Sequence, residues 1–133
     1  LEDLGNRGWL DDIRRVSQMD VFACSHTCLA ALRDFALASG RLTVINNGAA
    51  GMPNFTASGF GVVSRISVTR SPHRALYGLH RDGVNIDAIA LHYDRRAFLD
   101  RFLSRWPQGS PAQQSYFDRI ESGPDYPMAR AAG

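Results

Sequence analysis

The sequence predicts an α/β fold: a partial layered α/β sandwich in which a short, helix-flanked sheet leads into an antiparallel sheet and two C-terminal helices. Three observations predict it. Helical and strand-like apolar patterns alternate through the first 45 residues. From Val62 the period drops to two and holds to about Tyr93. After Asp94 helical spacing returns twice.

Each element has its own signal. Gly8 to Gln18 reads as a helix, with Asn6 as N-cap and Trp9, Ile13 and Val16 on one face. Asp20 to Ala23 is a short buried strand. Leu29, Leu32 and Ala36, with Phe35 beside them, predict a second helix stopped by Gly40. Leu42 to Ile45 is strand, and Asn46 to Gly59 a glycine-rich loop. Val62, Ser64, Ile66 and Val68 share one strand face. Ala75–His80 and Val84–Tyr93 are strands joined by Arg81-Asp82-Gly83, in which Asp-Gly is strong hairpin chemistry. Asp94 caps a helix carrying Phe98, Phe102 and Trp106, a stripe that reads as core or interface, and Pro107 ends it. Ser110, Pro111 and Gln113 mark the start of the last helix, which carries Tyr116 and Ile120. The tail DYPMARAAG reads as loose.

Length and composition suit one domain spanning residues 1–133. No apolar run approaches the roughly 18 residues that cross a bilayer, so no membrane partner is expected. LEDLGNRGW has no apolar segment of the signal-peptide kind, which makes a cytoplasmic location the default expectation. Because the first residue is Leu, the chain is read as part of something longer or processed. All 15 basic residues are arginine, scattered without a stripe, and no nucleic-acid partner is expected. Two cysteines four residues apart do not make a disulfide framework.

The chemistry concentrates in two stretches, each after a strand: Ser25-His26-Thr27-Cys28 and Asn46-Asn47-Gly48-Ala49-Ala50-Gly51-Met52-Pro53. If the two strands are parallel neighbours, both loops converge on one sheet edge, where α/β sheets bind ligands. Imidazole and thiolate are ligands for a borderline metal, and glycine-rich backbone can approach an anion. Blander readings stand beside this one. Cys24 reads as a small core residue, Cys28 as a site group or a first-turn packing residue, and Asn46 and Asn47 as site-shaping residues or turn formers. His73, His80 and His92 read as solvated.

The motif S-H-T-C-L-A resembles the G-H-x-H motif of calcineurin-like metallophosphoesterases, and N-N-G-A-A-G-M-P resembles the N-P-G-S-x-G-x-P stretch that follows it there. The resemblance covers roughly residues 20 to 94. It implies a hydrolase that uses two divalent transition metals (Mn, Fe or Zn) to attack a phosphomonoester or phosphodiester with a metal-activated water. By position His26 matches the first histidine, a metal ligand, and Cys28 stands where the second belongs. Asn46, Asn47 and Gly48 would line the substrate edge. A shifted register would instead place Cys24 and His26 at the two positions. The family's D-x-H, G-D-x-x-D and G-N-H-[DE] motifs do not occur upstream. The expectation is therefore a C-terminal portion of such an enzyme, inactive alone, whose partner is the missing N-terminal half or a second copy. The alternatives are a non-catalytic binding or interaction domain on the same scaffold, and thiol chemistry through Cys24 or Cys28.

Overall fold

A computed structural model describes residues 5–133, so the part of the signal-peptide reading that rests on residues 1–4 lies outside the described residues. Among the described residues the architecture is mixed α/β: two three-stranded sheets, three α-helices and a 3-10 turn at Met128–Arg130. Helix α1 spans Arg7–Ser17, and its cap is as expected, the Asn6 side chain accepting from the Trp9 N–H at 3.1 Å. The side it docks differs from the apolar stripe. Leu10 is buried, whereas Trp9 and Val16 are exposed. Arg14 holds the helix instead, donating to the carbonyls of Ser39 and Arg41 and to the Asp20 carboxylate.

The first sheet contains β1 (Val21–Cys24), β2 (Ala30–Leu37) and β3 (Gly40–Asn47) in the order β1-β3-β2. The helix expected over Leu29–Ala36 is strand β2. Ala, Leu and Arg are among the strongest helix formers, but intrinsic preference is a small term that tertiary pairing overrides. Here eight residue pairs tie β2 antiparallel to β3, and Gly40 opens β3, opposite Leu37, rather than ending a helix. Strand β1 pairs parallel with β3, Cys24 opposite Asn46. Residues 25–29 therefore cross over the C-terminal end of β3, from one side of it to the other.

The second sheet is antiparallel, with β4 (Gly61–Ser67), β6 (Val84–Leu91) and β5 (Ala75–Arg81) in that order. The expected Asp-Gly hairpin joins β5 to β6, both turn residues at positive φ. The sheets meet through alternate residues. Leu32 and Ile45 of the first pack with Ile86 of the second, and Tyr77 and Leu79 lie against them. A second cluster joins Ala30, Phe55, Val62, Ala88, Tyr126 and Ala131.

Helices α2 (Arg95–Arg105) and α3 (Pro111–Ser122) carry the expected Asp94 and Ser110 caps. They contact each other; α2 buries no residue and α3 buries Ile120. The tail expected to be loose is docked. Tyr126 and Ala131 are buried, and the Leu32 N–H donates to the Ala131 carbonyl at 2.7 Å. Arg33 on β2 clamps the carbonyls of Ala131 and Arg130, both at 2.7 Å. The tail thus covers the outer edge of β2, which would otherwise present unpaired backbone groups. Among the described residues no helix is long and apolar enough to cross a membrane.

Candidate functional site

The parallel register of β1 and β3 sets the two singled-out stretches side by side at one sheet edge. A turn carries His26, closed by the Cys28 N–H donating to the Ser25 carbonyl at 3.1 Å. Cys28 adopts the left-handed conformation, φ 53°, and its carbonyl accepts from Arg119 of α3 at 2.8 Å. The Asn46 amide donates to the Thr27 hydroxyl at 2.7 Å, tying the turn to the end of β3. His26 lies exposed on this turn and Cys28 is half-buried, its thiol 3.8 Å from the His26 carbonyl. Cys24, expected in the core, is exposed at the end of the edge strand. Its Sγ still lies 3.7 Å from the Ile45 carbonyl, and partial burial pushes its thiol pKa above the ordinary value. That shift opposes thiolate formation at Cys24.

The glycine-rich loop is held from within by Asn54, which is fully buried. Its side-chain oxygen accepts from the Ala49 N–H at 2.7 Å, and its amide donates to the carbonyls of Ala49 and Met52. Gly48 has φ 68°, and a Cβ there would stand 2.0 Å from the Asn54 oxygen, so only glycine fits. The Gly48 N–H is taken by the Asn46 side chain at 2.8 Å. The amides of Gly48 and Ala49, anion contacts in a free loop, are thus both engaged.

Of the residues expected at the substrate edge, Asn47 borders open space. With Cys24, Ser25, Val63 and Ser64 it lines a cavity of about 380 Å³ beside the edge of β1. Its amide donates to the Val62 carbonyl at 3.3 Å, and its oxygen has no hydrogen-bond partner among the described residues and keeps its capacity to accept. Asn46 and Gly48 are bound into the loop's own hydrogen bonds, and His26 and Cys28 lie outside the lining. Among the described residues no three His, Cys, Asp or Glu side chains are placed to hold a metal ion. His26 and Cys28 are two donors of the right softness for zinc, and a closed zinc shell needs four.

Sequence reasoning missed Asn54, Arg119 and Ser64. Asn54 lay in plain view within the loop, but nothing local distinguishes a buried strut from a turn former. Arg119 is 91 residues from the turn it holds. The Ser64 hydroxyl is buried without a partner beside the cavity and was read only as part of a strand face. No protein-family model, curated protein or solved structure matches the chain.

Proposed function

We propose that this chain supplies one wall of the active site of a metal-dependent phosphoesterase that hydrolyses a phosphomonoester or phosphodiester. The remaining metal ligands come from protein outside these residues. The observation that carries the reading is the parallel pairing of Cys24 with Asn46, which puts the His26 turn and the Asn46–Pro53 loop on one edge. His26 is the ligand this wall contributes, with Cys28 as the second donor. Two transition-metal ions, Mn, Fe or Zn, would act as Lewis acids and activate a water when bound. The chain's own share is to aim His26 through the Asn46–Thr27 contact and Arg119, and to present Asn47 to the substrate. The outer edge of β1 is unpaired within the described residues, a place for the protein that supplies the other ligands to add a strand.

A second reading, a binding domain on this scaffold without metals, draws on the lack of any three-donor group among the described residues. Zinc titrated into the ¹⁵N-labelled chain separates the two. The proposal expects the His26 ring signals to move ahead of those of His73, His80 and His92. It also expects a cobalt–thiolate absorption band that Cys28→Ser removes. Binding elsewhere, or none at His26, would overturn it in favour of the binding domain.

A further inference from the structure

At the far end of β4 from the candidate site, the outer face of the second sheet carries a different polar cavity of about 340 Å³. Its floor is His80 of β5 with Asn85 and Asp87 of β6, and its wall is the β4–β5 loop with Arg70, Ser71 and His73. Strand register puts the floor residues together, because His80 pairs with Asn85 and Gly78 with Asp87 on one face. Gly78 keeps that face open: a Cβ there would come within 2.8 Å of an Asp87 carboxylate oxygen.

Hydrogen-bond bookkeeping fixes the chemistry of His80. Asn85 is buried, and its amide nitrogen donates to the Ser67 carbonyl at 3.2 Å. A carbonyl only accepts, so the orientation of the Asn85 amide is determined. Its oxygen, 3.1 Å from His80 Nδ1, must then accept, and Nδ1 must carry the proton. Nε2 is left over, with no hydrogen-bond partner among the described residues, on a ring that lines the cavity. The Ser71 oxygen accepts from the His73 N–H at 3.0 Å, so its hydroxyl proton is free to donate. Arg70 is exposed and lines the cavity, and the neighbouring Arg65, not Arg70, takes the Thr69 carbonyl and the Asp87 carboxylate. The one carboxylate present, Asp87, lies 3.7 Å from Arg65 of β4 and is already matched. The charged and titratable groups around His80 are therefore Asp87, its partner Arg65, Arg70, His73 and, on its own strand and turn, Arg81 with Asp82.

We infer that this cavity binds a tetrahedral oxyanion, phosphate or the phosphoryl group of an organic phosphate, on Arg70, Ser71, His73 and the Nε2 edge of His80. Arginine suits the task because its planar fork matches such an anion. Binding is coupled to proton uptake at Nε2, since a bare ring nitrogen repels the anion and a protonated one donates to it.

Ring-nitrogen NMR of the ¹⁵N-labelled chain tests this, with sodium sulfate as the first probe at constant ionic strength. Sulfate keeps its charge between pH 6 and pH 8, so any pH effect belongs to the protein. The inference expects His80 in the Nδ1–H tautomer at pH 8. It expects the His80, His73 and Arg70 signals to follow one saturating curve, half-saturated at about 1–10 mM, while the His26 ring stays still. Arg70→Gln, an exposed change that leaves the fold intact, should weaken binding about fivefold or more. His80→Gln should reduce the preference for pH 6 over pH 8, and His80→Gln with His73→Gln should remove it. Inorganic phosphate and glycerol 3-phosphate then identify the source. Equal affinity assigns the free ion, and tighter binding of the ester assigns an organic phosphate. Shifts that stay linear to about 50 mM, that are shared with His26 and His92, or that survive Arg70→Gln would overturn the inference, as would the opposite tautomer.

Discussion

Asp34 should be the carboxylate whose loss most weakens the contact between the two sheets. It sits on β2 and accepts from Thr43 Oγ1 at 2.9 Å and from Arg41, both on β3. It also accepts from Arg81 Nη1 at 2.6 Å, at the end of β5 in the other sheet. The pair is largely shielded, with 23% of the Asp34 side chain and 18% of Arg81 exposed. Asp34→Asn keeps the shape, removes the charge and turns an amide toward a guanidinium. A hydrogen bond to a charged group contributes about 1.5–3 kcal/mol. Because the asparagine oxygen still accepts one bond and solvent screens part of the charge, the net loss should be about 2–3 kcal/mol. Urea unfolding reads this as a midpoint about 1 M lower. Burial alone would raise the Asp34 pKa; the bonds from Arg41 and Thr43 and the charge of Arg81 outweigh it and hold the carboxyl below its ordinary value. A lowered folded-state pKa means stabilisation that is complete above the unfolded value and is lost as pH falls through the folded one. The difference between wild type and Asp34→Asn should therefore be flat near neutrality and shrink below about pH 4. A loss under about 0.5 kcal/mol, or one that does not shrink in acid, would refute the reasoning.

Asn54→Ala strips three hydrogen bonds from the loop interior and should cost about 2–4 kcal/mol in urea unfolding, with exchange of the Ala49 amide sharply accelerated. Gly48→Ala adds a carbon where the Asn54 oxygen already stands and should destabilise by more than about 2 kcal/mol, an effect that Asn54→Gly in the same chain should partly relieve. Tyr126→Ala removes a ring stacked on Phe55 at 6.0 Å and should cost about 3–5 kcal/mol by thermal or urea unfolding, an outcome no loose tail would give. Alkylation of Cys24 should keep accelerating with pH through about pH 9, about tenfold per unit, because its raised thiol pKa delays the plateau.

Local chemistry was legible where it was locally decided. The side-chain caps at Asn6, Asp94 and Ser110, the Asp-Gly hairpin and the period-two strands were all readable because neighbours within four residues determine them. The adjacency of the His26 turn and the Asn46–Pro53 loop was readable as a condition on β1 and β3 being parallel, and they are. Strand β2 was not, because Leu-Ala-Ala-Leu-Arg carries helix-forming residues and its strand state comes from pairing with β3. The docked tail answers an exposed strand edge that exists only after folding. The Asp34–Arg81 contact spans 47 residues and has no signature at either end.

The proposed wall of a two-metal phosphoesterase site depends on what accompanies this chain in the cell. The most direct test is intact mass and transition-metal content, measured together on the protein isolated from the cells that make it. The expected result is a polypeptide heavier than 14.7 kDa, or a tightly held second chain, with about two metal ions per site and fewer after His26→Ala. A solitary 14.7 kDa chain that retains no metal and hydrolyses no phosphate ester when supplied with Mn, Fe or Zn would contradict it.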